Sequence, residues 1–542
     1  MQTHQPTNQK YTALGGIFQP SLPLNLEIRI PEDDPVRLLR YCIGGMDISA
    51  LERTYRRIDR NLASPRQMLA ILVYAGMNRI FSSRRIETAC RRDINFMYLL
   101  EGKPAPDHAT IARFRSKHLA PCIKELFAQM DFLLLKFGVI SMDSIFIDGT
   151  KIESVANKYK FVWKKTVLKN RNKLLAKLPD FVAKINRDLG LNLYCGKGLR
   201  LHDLKKIRRR LRAMQKQEKI SFVHGIGKRK TLLQRDFEQL DGYIRRFKDY
   251  FWKLHTCGSR NSFAKTDTDA TFMRMKEDAM RNGQLKPAYN VQYGIDSEFV
   301  TWVTVGPQPT DTTTLKPFLM DLENHLYRNY RNIVADAGYE SEENYTYLEQ
   351  NQQYAFIKPN NYEKSRTRKW RKDIGRRENM TYMPEQDVYE CANHKLLRPE
   401  YVYHSKTGTG YISEKTVYGC SECLECPLKP QCIHGNHWKK KTDERYKHLT
   451  VAKKFIRQRE DDLKRITTSK GILLRINRTI QSEGTFADIK ADLNFRRFLS
   501  KGNANVLVES MLLAMSHNLL KFHQKIQAGN TYRHLLAVDK VA

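Results

Sequence analysis

The sequence predicts an α/β core, a mixed sheet flanked by helices, preceded by an all-α segment and interrupted by two basic insertions. Three observations predict it. The apolar, β-branched runs SIFIDGT (144–150) and NIVADAGYES (332–341) read as buried strands, each ending in an acid, Asp148 and Asp336. PAYNVQYGIDSEFVTWVTV (287–305) alternates about a turn at Gly294–Glu298 and reads as a β-hairpin. After Asp336 come a helix, with Ser341 as N-cap and Tyr345 and Leu348 inward, and the strand YAFIKP (354–359). Strand, helix and strand imply a parallel pair joined by a right-handed crossover.

The elements before this core are helical. Residues 1–35 hold Gly15, Gly16, Pro20, Pro23, Pro31 and Pro35 and read as an arm. Over 36–140 the pattern is helical, with Met68, Ile71, Leu72 and Tyr74–Ala75 on one apolar face and Ile123, Phe127, Met130 and Leu134 on another. Pro104 and Pro106 break the chain, and Asp107 is the expected N-cap of a helix carrying His108, Thr110, Arg113 and Arg115. A basic second helix is compatible with a helix-turn-helix, with Arg113 and Arg115 toward nucleic acid, or with an ordinary bundle. Core segments are expected at 141–156 and 263–360, with an insertion between them at 157–262. In that insertion Leu233, Phe237, Leu240, Ile244, Phe247, Phe251 and Leu254 form a heptad seam, and Leu201, Leu204, Ile207, Leu211 and Met214 form a matching stripe. FVHGIGKRK between them predicts the turn of an antiparallel helical hairpin. Residues 361–450 look irregular, helices resume over 451–525, and 526–542 form a tail.

Charge says where a partner would bind. The chain has 542 residues and a net charge of +36. Residues 161–260 hold 27 Lys+Arg against 8 Asp+Glu, and 361–470 hold 25 against 15, so 29 of the 36 units sit in two stretches. That excludes an ordinary near-neutral metabolic enzyme and points to a polyanion, nucleic acid first. No run of 18 apolar residues exists, and MQTHQPTNQK lacks the apolar segment of a signal peptide. With ten cysteines, half of them in one short segment, the expected setting is reducing and cytoplasmic.

Two acids at strand ends of one sheet, in so basic a chain, suggest a site for hard divalent cations, although an Asp-Gly step is also a common turn. Two such ions can clamp the attacking and leaving oxygens of a phosphodiester. A third acid is expected from RTIQSEGTFADIKADLNFRRF (478–498), where Glu483, Phe486 and Lys490 are spaced for one helical face. Lys490, Arg478, Arg496 and Arg497 are candidate phosphate binders. Cys391, Cys420, Cys423, Cys426 and Cys432 fall within 42 residues, near His394, His434 and His437. This is the spacing of a structural Zn²⁺ site with more ligands than the four required, or of a set of free thiols. Cys42, Cys90, Cys122, Cys195 and Cys257 are isolated and read as structural.

With these residues in view, the chain resembles a bacterial insertion-sequence transposase of the DDE class over nearly its whole length. SPRQMLAILVYAGMNRIFSSRRIETACRRDINFMYLLEGKPAPDHATIARFR resembles the helical N-terminal domain of such proteins, and IFIDGTKIESVANKYKFVWKK the segment of the first catalytic Asp. NIVADAGYESEENYTYLEQN resembles the second Asp motif, and EGTFADIKADLNFRRFLSKGNANV the glutamate motif. One departure is plain: relatives often carry Tyr and Arg seven and four residues before this Glu, where Ile476 and Thr479 stand, with Arg478 one residue away. The resemblance implies an RNase H-like core in which Asp148, Asp336 and Glu483 hold two Mg²⁺ (or Mn²⁺), with Lys490 on the end phosphates. It further implies cleavage at element ends, transfer of a 3′-hydroxyl into target DNA, a homodimer on paired ends, and a nucleoid-associated cytoplasmic protein. An RNase H-like nuclease without strand transfer and a catalytically silent DNA-binding derivative are the alternatives.

Overall fold

The computed structural model describes residues 29–194, 196, 198–275, 283–433 and 444–536. Its longer opening helices are α1 (Pro35–Gly44), α2 (Pro65–Met77), α3 (Ser83–Arg92), α4 (Ile94–Leu100), α5 (His108–Arg113) and α6 (Ile123–Lys136). Their starts are set by caps. Asp34 accepts from Val36 N, Ser64 and Gln67 form a reciprocal capping box, and Asp107 accepts from Thr110 N at 2.5 Å. Asp107 thus caps as expected, but α5 is short and passes into a π-helical turn, Phe114–Leu119.

The central sheet has the order β4-β5-β1-β7-β8, with β6 also pairing β5. Its strands are β1 (Ser144–Glu153), β4 (Thr271–Arg274), β5 (Leu285–Asp296), β6 (Phe299–Gly306), β7 (Asn332–Ala335) and β8 (Tyr354–Ile357). β1 pairs antiparallel with β5 and parallel with β7, and β7 is parallel to β8, so the sheet is mixed as expected. The β5–β6 turn is tighter than the sequence suggested. Only Ser297 and Glu298 make it, both at positive φ (58° and 71°), the conformation that matches strand twist in a two-residue hairpin. The turn is clamped from outside: Lys525 Nζ donates to Ser297 O at 2.8 Å, and Glu298 N donates to Gln481 Oε1 at 3.0 Å.

The insertion after β1 differs from expectation. It is a three-helix bundle, α7 (Lys164–Leu189), α8 (Leu201–Gln217) and α9 (Leu232–Cys257), standing on a ribbon of β2 (Phe161–Trp163) and β3 (Ser262–Ala264). α7 contributes Leu174, Leu178, Phe181, Val182 and Ile185 to the bundle core, and it does so with Pro179 inside the helix. The seam residues Leu233, Phe237, Leu240 and Ile244 are buried against the other two helices, whereas Phe251 is 69% exposed. The seam therefore closes the bundle internally.

The described residues of the 361–450 stretch are not irregular. They form a second, antiparallel sheet of order β13-β12-β11-β10-β9, from β9 (Thr381–Met383), β10 (Val388–Glu390), β11 (Leu396–Lys406), β12 (Ile412–Cys420) and β13 (Lys447–Val451). β11 is exposed along most of its length, so it lacks the apolar alternation that marks a strand in sequence.

Helices α10 (Leu315–Leu326) and α11 (Glu342–Gln350) follow β6 and β7, and α12 (Lys453–Ile466), α13 (Ser469–Ala487) and α14 (Asn503–Gln527) close the chain. α14 runs between β6 and α2, and one apolar cluster extends from Val36 and Ile71 through Ile147 and Trp302 to Met515 and Phe522. The N-terminal helices are thereby packed onto the core. The closest approach is at Gly76, where a Cβ would stand 2.2 Å from Ser516 Oγ. Among the described residues no helix is long and apolar enough to cross a membrane.

Two outcomes follow for stability. Gly76→Ala should cost about 1–3 kcal/mol in urea unfolding, because the added methyl overpacks the α2–α14 contact, and Ser516→Ala in the same chain should recover part of it. Asp462 on α12 is fully buried; it accepts from Tyr345 Oη at 3.0 Å and from Ile357 N, and burial pushes its carboxyl up to about 7. Folding then favours its protonated form, so its contribution falls as pH rises from its ordinary range near 3.8 through about 7. Asp462→Asn should therefore gain stability relative to the parent by about 1 kcal/mol per pH unit across that window.

Candidate active site

The site begins with strand register. β1 and β7 pair from Ser144–Asn332 through Ile147–Ala335. The next residues are Asp148 and Asp336, so both carboxylates lie one step beyond the last paired rung, on strands spaced about 4.8 Å. Asp148 is not at a strand end, since β1 continues to Glu153. What ends there is β7, and Asp336 caps the 3₁₀ turn that follows, accepting from Gly338 N at 2.8 Å.

Helix α13 crosses the sheet at this level. Arg478 donates from Nη1 to Asp148 Oδ2 at 3.2 Å, so Asp148 has an ion-pair partner that no local motif announces. Asp148 lies opposite Tyr293 on β5, and Phe486 packs edge-on against Tyr293 with centroids 5.7 Å apart. Glu483 falls between these two anchors. Five residues past Arg478, it is turned roughly 140° about the helix axis, onto the stripe of Ile476 and Thr479. That stripe lines an open cleft with Asp336, Lys358 and Arg475, and Glu483 is exposed one turn further along. Among the described residues no three His, Cys, Asp or Glu side chains form a group arranged to hold a metal ion, so the three acids are not gathered into one ligand set.

On the opposite face of β1 is a polar layer that the sequence reading missed. A Cβ at Gly149 would stand 2.4 Å from Gln292 Nε2 and 2.7 Å from Asp311 Oδ1. Glycine follows Asp148 because this packing leaves no room, not because the chain turns. Asn290 and Gln292 donate to Asp311 at 2.7 and 2.9 Å, and Tyr339 donates to Gln292 Oε1. Burial, then the carboxylates of Asp311, Asp148 and Asp336, push the Tyr339 phenol well above its usual range and keep it a donor. The layer thus ties the Asp336 turn to β5. A signal was present: two amides at i and i+2 on one face of an otherwise apolar strand.

The predicted cationic contacts divide. Arg113 and Arg496 are exposed. Arg115 points inward: it donates to Phe81 O at 2.9 Å and lines an interior cavity with the buried Glu509, so it is a core residue and not a surface contact. Arg497 donates to Ser154 O at 3.0 Å and Val155 O at 2.8 Å, tying the C-terminal segment to the end of β1. Arg478 is engaged with Asp148. Lys490 is not on the α-helical face of Glu483, because α13 ends at Ala487 and a π-helical turn, Asp488–Asp492, carries it.

Of the clustered cysteines, Cys391, Cys423, Cys426 and Cys432 line one small cavity, while Cys420 is buried at the end of β12. His394 turns away to Glu390 at 2.7 Å; His434 and His437 lie outside the described residues. Cys42, Cys90, Cys122 and Cys257 are buried free thiols, as read, and Cys195 lies outside the described residues.

Two protein families match the chain. Residues 24–117 match a transposase domain (DUF772), and residues 390–523 match a transposase DDE domain. The second range contains Glu483, the cysteine cluster and most of α14; Asp148 and Asp336 lie outside both ranges. No curated protein and no solved structure matches the chain. A transposase domain at one end of the chain and a transposase DDE domain at the other support an insertion-sequence transposase of the DDE class.

Proposed function

We propose that this transposase binds the ends of its element and carries out metal-dependent cleavage and strand transfer there, with Asp148, Asp336 and Glu483 as the acids of an RNase H-like core. The observation that carries the reading is the parallel β1–β7 register, which puts Asp148 and Asp336 at the same level of neighbouring strands, with Asp336 lining a cationic cleft. The ligands these acids offer are carboxylate oxygens, which suit Mg²⁺ or Mn²⁺ and not a thiophilic metal. Such ions, when bound, would activate the attacking oxygen and neutralise the leaving one. Asp148 and Asp336 would hold them jointly and Glu483 would add to one. Glu483 would have to turn toward them from a helix whose position Arg478 and Phe486 fix. Lys358 and Arg475, on the cleft wall with Asp336, would bind phosphates, as would Lys490. DNA is the partner, two copies on paired ends the working form, and the cytoplasm, on the nucleoid, the setting.

Asp336→Asn and Asp148→Asn should each lower cleavage and joining of labelled element ends by about a hundredfold or more with Mg²⁺, leaving end binding intact. Joined products from the parent protein support transposition, and cut ends alone would make it a nuclease. Retained cleavage in Asp336→Asn would overturn the site. The α7–α9 bundle supplies the second expectation. Lys205, Arg209 and Arg210 are exposed on α8. Replacing each with Gln should reduce the slope of log K against log salt for end binding by about 0.9 per lost contact.

A further inference from the structure

The cysteine-bearing sheet poses a problem of stability. Its apolar cluster is small: Met380, Tyr389, Leu397, Tyr418, Leu449 and Val451, with Cys420 and Cys423 completing it and Cys391 and Cys432 packed alongside. The described cysteines are free thiols, so no disulfide ties the sheet. Three chain segments nevertheless converge on one cavity. Cys391 follows β10 in a tight turn, where His394 N donates to Cys391 O at 2.9 Å. Cys423 and Cys426 share a second turn, in which Cys426 N donates to Cys423 O at 3.3 Å. Cys432 closes a helical turn, Lys429–Cys432. The four line the cavity together with Asn393, Lys429 and Lys447.

We propose that Cys391, Cys423, Cys426 and Cys432 bind one structural zinc ion that locks the β9–β13 sheet, with Cys420 outside the ligand set. As they stand the four sulfurs do not make a finished group. Each cysteine side chain has one rotatable bond, and the turns already bring the four backbone positions around the same space. Four thiols and no free coordination position suit a tetrahedral structural site, not a catalytic one. Each thiol loses its proton to become a ligand, so zinc binding releases protons. Partners for bound sulfur are in place. Asn393 Nδ2 donates to Cys426 Sγ at 3.6 Å, and Lys447, donating to Gly375 O and to Cys432 O at 3.4 Å, holds a cation beside what would be a doubly negative tetrathiolate centre. Cys420 is chosen against because, although its thiol touches Cys423, it does not line the cavity that the other four share.

The test uses the full chain purified from zinc-replete medium. Elemental analysis should find about one zinc per chain. After exchange for Co²⁺, the visible spectrum should show charge transfer from four thiolates around a tetrahedral ion. Cys426→Ser should lower metal content at least about tenfold, and Cys420→Ser should leave it unchanged, by the loss or retention of one ligand. Because removing a ligand can also unfold the sheet, the Co²⁺ spectrum of the unaltered chain counts the thiolates independently. A chain free of metal, a chain that carries iron, a Co²⁺ spectrum with fewer than four thiolates, or loss of metal in Cys420→Ser equal to that in Cys426→Ser would each overturn the assignment.

Discussion

The site depends on the register of one strand pair. Because β1 and β7 are parallel and pair through Ile147–Ala335, the next residue on each is an acid at the same level. A one-residue slip would send one carboxylate to the opposite face, against the Asp311 carboxylate and the amides that already satisfy it, at the cost of an uncompensated buried charge. Register is specified from both sides. Ile145, Phe146 and Ile147 are buried on β1, as are Ile333, Val334 and Ala335 on β7. Gly149 admits only the arrangement in which Gln292 and Asp311 occupy the space beside it.

The helices depend on that sheet in turn. α13 is aimed by Arg478 on Asp148 and by Phe486 on Tyr293, two contacts two turns apart. α14 spans β6 and α2, so the N-terminal helices share the core's apolar cluster instead of forming a separate module. The β5–β6 turn, strained by two non-glycine residues at positive φ, holds because Gln481 and Lys525 from these same two helices bind its backbone. A change in how α14 packs would therefore be felt at the hairpin next to β1.

What was legible in the sequence follows from what leaves a periodic trace. SIFIDGT, the 287–305 hairpin and NIVADAGYES could be read because buried strands are apolar, and the caps Asp107 and Ser341 because their chemistry is local. α7 was lost as a distinct third helix because Pro179 interrupts its pattern, although the bundle core tolerates it. The second sheet was lost because β11 presents neither face to a core. Charged residues mislead in another way: composition shows that Arg115 and Arg497 are cations but not which way they point, and both are engaged with backbone carbonyls, Arg115 from within the fold and Arg497 at its surface. The spacing from Glu483 to Lys490 was read as one helical face, and the π-helical turn after Ala487 breaks it.

Buried carboxylates in this chain meet the cost of desolvation in two ways, and the contrast separates structure from site. Asp131 on α6 is 2% exposed, and among the described residues no donor reaches either of its oxygens. Burial, then the neighbouring Asp296, drives its carboxyl well above the ordinary range, so it is held neutral. Asp148 is also largely buried, at 9%, yet it receives a guanidinium from Arg478, 330 residues away in the chain, and its own neighbour's amide, Gly149 N, at 2.8 Å. A fold that needed only to bury Asp148 could have left it as it leaves Asp131. Supplying it with a cation keeps a charge compensated at the one level of the sheet where Asp336 stands alongside. A carboxylate maintained in that way can exchange its cation partner for another cation without repacking the core.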